Sequence, residues 1–244
     1  MSDHTSLQAS RRSEFLAGAR DSLPMLIGAA PFGMIFGALA EQSGVSTLGA
    51  LAMSALVFAG SSQFIALTLF KGHAALGVIW LTTLIVNLRH ALYSVTLLPH
   101  VGKLSQRWRL PLAFGLTDET FAVVQHRYNS HDPSPYKHWY YLGSVLAMYS
   151  NWQLWTAAGL ILGQSVKGLE NLGLDFAMVA TFVGIVVPML KTPAMRWAAL
   201  AAAVVALAAH GLPYKLGLML AALAGVVTGV WCESRQTPRQ DHAG

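Results

Sequence analysis

Three apolar runs follow one another in the first hundred residues, Ser22 to Ala40, Ser46 to Phe70 and Ala74 to Leu98, each near the roughly 20 residues that carry an α-helix across a bilayer. Shorter or similar runs follow at Pro111 to Val124, Trp139 to Leu162, Leu174 to Leu190, Trp197 to Ala209 and Leu216 to Trp231. Charged residues make up 11% of the chain, against about a quarter in a soluble domain. A membrane β-barrel would show alternating segments of about ten residues instead. The pattern therefore predicts an all-α, polytopic membrane bundle of about seven or eight hydrophobic segments. Residues 22–231 are expected to form a single transmembrane domain, flanked by a polar, cytoplasmic tail over 1–21 and a polar tail over 232–244. The opening MSDHTSLQASRRSEFLAGAR has neither an apolar core nor a small-residue cleavage site, so the first run is expected to be an uncleaved anchor.

The net charge of +5 comes from bases dispersed among the connections, as the positive-inside rule expects, and not from a nucleic-acid-binding stripe. One cysteine, Cys232, excludes an internal disulfide. His126, His131, Asp132 and His138 are too loosely spaced for a metal site, and no cofactor motif is present.

Three of the runs are irregular in the middle. In the first, Pro31 lies between Gly28 and Gly33, and a proline both removes a backbone donor and disfavours helix at the preceding residue. The spacing predicts a break near Ala30 to Gly33, with Pro31, Phe32 and Gly33 bordering a site; the alternative is a kink in which Gly33 and Gly37 admit another helix. The second run reads Phe58-Ala-Gly60-Ser61-Ser62-Gln63-Phe64, four small or polar residues at mid-membrane depth. They offer a substrate site or, equally, helix packing with Gln63 as glue. Two adjacent irregular segments are a mark of discontinuous-helix transporters.

The third run carries Asn87, Arg89 and His90. An arginine there costs roughly 2.5 to 3.5 kcal/mol on insertion scales, so it needs a partner, water or a task. On a straight helix Asn87, His90 and Ser94 share one face while Arg89 and Tyr93 point largely the other way, so both sets reach one cavity only if the helix is distorted. In the fourth run Asp118 and Glu119 are adjacent carboxyls in an apolar setting, suited to proton coupling; the alternative is an interfacial segment with both acids in water.

An eight-span layout with the N-terminus inside leaves the basic loop 99–110, with Lys103, Arg107 and Arg109, on the wrong side. If one early segment and the Asp118 segment were re-entrant, that loop would move inside, and six crossings with two re-entrant segments is the alternative.

The motifs PFGMIFGALA, VFAGSSQFIA, NLRHALYS and TDETFAV, with weaker agreement at LDFAMVATF, resemble the AzlC family, the large subunits of branched-chain amino acid exporters. The resemblance implies a multi-pass protein of the bacterial cytoplasmic membrane that exports branched-chain amino acids with a small AzlD-type subunit, and homo-oligomers are compatible with it. No GxxxxGK[ST] phosphate loop is present, so the energy source is a gradient or another chain. An enzyme built on Ser61 or Ser62 with His90 lacks a GxSxG or HExxH motif. A silent scaffold subunit would leave Arg89, Asp118 and Glu119 without a task.

Overall fold

The computed structural model describes residues 10–130, 134–165, 183, 187, 190–212 and 216–236. The expected Leu174 to Leu190 run, the LDFAMVATF stretch, and His131 with Asp132 lie almost wholly outside the described residues. The chain divides into two compact units, 1–174 and 175–244. All regular structure described is helical.

In the first unit α1 (Arg11–Asp21) continues into α2 (Leu23–Ala40) at Ser22, whose hydroxyl bonds back to the Gly18 carbonyl and across to Ser144. A 3₁₀ turn (Glu41–Ser43) follows, then α3 (Thr47–Val57) and α4 (Gly60–Lys71), α5 (Leu76–Asn87) and α6 (Arg89–Val101), α7 (Gln106–Phe114) and α8 (Asp118–Asn129), and the long α9 (Lys137–Ser165). Residues 11–21, expected as a tail, are thus a capped helix that packs on α9.

The α1–α2 line and α9 form the frame. Their contacts climb together: Gly18 meets Tyr140, Gly33 meets Trp155, Gly37 meets Thr156, Met34 meets Gly159 and Ala38 meets Gly163. The two helices therefore run parallel. The pairs Gly33/Gly37 and Gly159/Gly163 place one GxxxG on each side, so backbones touch with no side chain between them. Pro31 does not break α2, which corrects the first expectation: the helix is continuous through it and the proline ring points outward. Pro31 costs the helix only its own bond to the Ile27 carbonyl, and Asn151 Nδ2 donates to the adjacent Leu26 carbonyl on that turn.

Parallel packing requires an odd number of crossings between α2 and α9. The contacts of the intervening helices show how this is met. Thr47 bonds Glu41 at the end of the first crossing; Phe58 meets Tyr149 in the middle; and α4 returns past Phe36 until Phe70 and Lys71 lie again beside Glu41 to Ser43. So α3–α4 is a hairpin that enters and leaves at one end of the frame. The expected second span, Ser46 to Phe70, is two half-helices of 11 and 12 residues, each about 16 to 18 Å long and too short to cross. The α5–α6 line then crosses, from Leu76 beside the 3₁₀ turn to His100 stacked on Tyr128 at the other end.

The α7–α8 pair repeats the hairpin from that opposite end. Trp108 packs on Trp139 at the start of α9, Gly115 reaches Val145, and α8 returns until Arg127 lies over Tyr140. The layout of this unit is the re-entrant one, with one early segment and the Asp118 segment folded back. The second unit, described by itself, holds α10 (Pro193–Ala208) and α11 (Leu216–Gln236), which pack antiparallel through Gly217 on Ala209 and Gly225 on Ala198 and Ala202. Leu200, Val204 and Leu207 of the Ala-rich α10 are exposed on this unit.

The frame makes a direct prediction. A Cβ at Gly37 would lie 2.2 Å from the Thr156 carbonyl oxygen, whereas one at Gly28 meets nothing within 4 Å. Gly37→Val should lower stability by at least about 1 to 3 kcal/mol, while Gly28→Ala should be neutral. Size-exclusion after graded heating of the purified protein reads the difference.

Candidate functional site

Each helix break in the first unit needs an account of the backbone groups it frees. At Phe58 and Ala59 the chain leaves helix for one extended step before α4 begins. The carbonyls at the end of α3 are met from the side: Gln63 Nε2 donates to Met53 O at 3.0 Å, Gln153 Nε2 to Ser54 O at 2.9 Å and Tyr149 Oη to Ala55 O at 3.1 Å. Gln63 is fully buried, and its own oxygen accepts from Trp152 Nε1 at 3.0 Å. It thus performs as interhelical glue, the packing role open to it in sequence, rather than as a free ligand. Gly60 lies against the Trp152 ring.

Ser61 and Ser62 open α4, where Ala59 supplies no side-chain cap and the first amides carry the positive end of the helix dipole. Ser62 Oγ donates to Asn87 Oδ1 at 2.5 Å. Ser61 Oγ is buried and has no hydrogen-bond partner among the described residues.

The second irregularity is at Leu88, where α5 tightens before α6 begins. This supplies the distortion that the two polar sets require. His90 Nδ1 lies 3.0 Å from the Asn87 carbonyl oxygen, and both residues line a cavity of about 170 Å³. Its other walls are Leu56, Val57, Phe58, Ala59, Ala113, Phe114 and Leu116. The cavity therefore sits where all three breaks meet, with Phe58 and Phe114, the tips of opposed hairpins, 6.3 Å apart between ring centroids. Ser94 is exposed and lies at a different cavity, beside Leu97 and Arg109.

The third break, Gly115 to Thr117, places Asp118 and Glu119 in the first turn of α8, capped by Thr117. Arg89 Nε lies 2.9 Å from Asp118 Oδ1. Its N–H is not directed along that line and makes no hydrogen bond, so the contact is an ion pair. Tyr93 Oη donates to the same oxygen at 2.7 Å, with its ring stacked on Phe121. Glu119, by contrast, has no cation within 4 Å among the described residues. The two carboxyls are therefore unequal.

Of the residues singled out in sequence, the structure brings Asn87 and His90 to the cavity, Ser62 to Asn87, and Arg89 to Asp118. Pro31, Phe32 and Gly33 do not line it: Pro31 faces outward and Gly33 faces α9. Sequence reasoning missed the walls Phe114 and Leu116, and although it placed Tyr93 on the Arg89 face it did not give it the Asp118 carboxyl as a partner.

Two half-helix hairpins that enter the first unit from opposite ends and meet at a small, mixed cavity, in a chain this apolar, are the architecture of an integral membrane protein. The AzlC protein family model matches residues 24–166, and the chain belongs to the AzlC family. An uncharacterized membrane protein of Archaeoglobus fulgidus is 35% identical over 91% of this chain and 97% of its own length. The inner membrane protein YgaZ of Escherichia coli is 28% identical over 94% of this chain and 93% of its own. The branched-chain amino acid transport protein AzlC of Bacillus subtilis is 31% identical over 71% of this chain and 68% of its own. No solved structure matches.

The ion pair predicts an order of abundance. Removing Arg89 alone leaves Asp118 beside apolar walls without its cation, which costs more than removing both charges. Membrane levels should fall for Arg89→Ala and recover in part for Arg89→Ala with Asp118→Ala, as a quantitative blot of membranes would show.

Proposed function

We propose that this protein is a secondary transporter subunit that exports branched-chain and related aliphatic amino acids, coupled to protons. The observation that carries the reading is the cavity at the three breaks. Its walls are mainly Leu, Val and Phe, its polar groups are Asn87 and His90, and its size is below the roughly 300 to 1,000 Å³ of sites for drug-sized ligands. Such a space suits a short aliphatic side chain. A zwitterion also needs charge partners, and the cavity's margin offers the first amides of α4 with Ser61 for a carboxylate and Asn87 for an ammonium. The name of the Bacillus relative supports the substrate class.

Orientation follows from charge. With both hairpins folded back, and among the described residues, Arg11, Arg12, Arg20, Lys103, Arg107, Arg109, Arg127 and Lys137 lie toward one end of the first unit and Lys71 toward the other. The positive-inside rule puts the basic end, with the N-terminus, in the cytoplasm. Loop 99–110 then obeys the rule. A small AzlD-type subunit belongs to the same reading as partner.

Asp118 is the coupling carboxyl in this scheme. It holds Arg89 when ionised and releases it when protonated, so proton binding frees the guanidinium for another anion. Glu119, without a cation among the described residues, is secondary.

The test is export of leucine, isoleucine, valine and methionine from loaded cells, with and without the small subunit, followed by the same assay in liposomes. Export should saturate and favour aliphatic side chains; absence of export in both settings overturns the reading. Asp118→Asn should lose pH-gradient-driven export by about tenfold or more while keeping exchange between two loaded compartments, and Glu119→Gln should change either by less than about threefold. Arg89→Lys should recover little of the activity lost in Arg89→Ala, because a point charge lacks the planar fork.

A further inference from the structure

A second buried charge pair lies away from the cavity. Glu14 is 5% exposed although its helix, α1, is among the most polar in the chain. Its Oε1 accepts from Arg127 Nη2 at 2.8 Å, and its Oε2 is buried with no hydrogen-bond partner among the described residues. The Arg127 guanidinium lies 5.4 Å from the Tyr140 ring centroid, and Tyr140 Oη donates to Asp21 Oδ2 at 2.9 Å.

The two sides of this pair are anchored very differently. The α1 side belongs to the frame: a Cβ at Gly18 would lie 1.9 Å from the Tyr140 carbonyl oxygen, one at Gly143 would lie 2.0 Å from the Phe15 carbonyl oxygen, and Ser22 bonds Ser144. Arg127 belongs to α8, about 13 Å along that helix from Asp118. The α7–α8 hairpin is seated on α6 and α9 through Leu112, Leu116, Phe121 and Val124, which are buried with Leu97, Tyr141 and Val145, and its polar pins are Arg89 and Tyr93 at the tip and Glu14 at the base. The α3–α4 hairpin is fixed differently, by neutral side-chain hydrogen bonds to α9 at Ser54, Ala55 and Gln63, and Ser54 also meets Thr156.

We propose that α7–α8 is the moving gate at the basic end of the bundle and that Glu14–Arg127 is the latch that holds it shut against the α1–α9 frame. Neither residue lines the cavity, so both act as positioning residues. The chemistry suits a contact that must open. A neutral hydrogen bond broken inside the bundle strands a carbonyl, whereas this pair sits where α1, the end of α8 and the start of α9 meet, and both charges are hydrated once the base lifts away. The idle Oε2 means that the closed latch leaves one acceptor unused, which water would satisfy on opening. Its place in a transport cycle rests on the function proposed above, but the latch itself is measurable without a substrate.

Hydrogen–deuterium exchange of the full chain in lipid nanodiscs tests it. Glu14→Gln should raise amide exchange across 106–129 by about tenfold, leave 47–71 within about twofold, and be corrected by the charge exchange Glu14→Arg with Arg127→Glu. An equal response of both hairpins, or none, overturns the proposal. Glu14→Cys with Arg127→Cys in a Cys232→Ala background gives a second measurement. Joining the pair with a short bis-methanethiosulfonate linker should stop valine counterflow in liposomes, and reduction should restore it; unchanged counterflow in the linked protein overturns the latch. If the Cys232→Ala parent shows no counterflow either with or without the small subunit, the transport reading fails, and the exchange data still decide the latch.

Discussion

Backbone contact between α2 and α9 is the constraint on which the rest of the first unit depends. Where Gly37 faces Thr156 and Gly159 faces Met34, there is no room for a side chain, so the two helices are held in one register and one relative direction. Lipid supplies no hydrophobic push between helices, and such close approach must be stabilised by van der Waals contact along its whole length. Parallel direction then limits what the chain between them can do. With three full crossings the loop 99–110 would stand at the end opposite the N-terminus; with one crossing and two hairpins it stands at the same end. The contacts of Trp108 with Trp139 and of His100 with Tyr128 place it there.

A hairpin inside a membrane must solve its backbone accounting, and the solution explains several polar residues at once. The last carbonyls of α3 end in apolar surroundings, and Gln63, Gln153 and Tyr149 each meet one. The start of α8 is met by its own Thr117. The start of α4 is met least, since Ala59 offers no side chain and Ser61 keeps a free hydroxyl. The least satisfied of these ends borders the cavity, where a ligand or water can complete it.

The sequence shows this architecture unevenly. The polar stretch at Gly60 to Gln63, the cost of Arg89 and the pair Asp118–Glu119 are each visible because a polar group in an apolar run is an anomaly whatever the tertiary structure. Pro31 misleads for the opposite reason: a proline is a local signal, and a helix continues through it where a neighbouring helix meets carbonyls on the preceding turn, as Asn151 does at Leu26, which no local pattern records. Folding back of a segment is invisible for the same reason, since Ser46 to Phe70 is long enough to cross and only its neighbours forbid it. The basic loop at 99–110 was the one trace of the true layout, through charge rather than hydropathy. The polar helix α1 hides its role because Glu14 is buried only by partners more than a hundred residues away.

The exposure of the central ion pair bears on what it can do. The Arg89 and Asp118 side chains are 25% and 27% exposed, so the pair is neither sealed in a dry core nor free at a surface. A sealed pair would be held by the cost of stranding either charge, and a surface pair would contribute almost nothing. Between these limits each partner can be exchanged for another of the same sign at modest cost. On the transport reading, protonation of Asp118 breaks the pair and frees Arg89 for an anion, while the zwitterion itself is met at the cavity margin by the first amides of α4, Ser61 and Asn87. Tyr93, bonded to the same Asp118 oxygen, keeps that carboxyl in place when Arg89 turns away. The ion pair is then the resting state of the site, and what exchanges with it is set by the apolar walls next door, which accept an aliphatic side chain and offer little to a polar one.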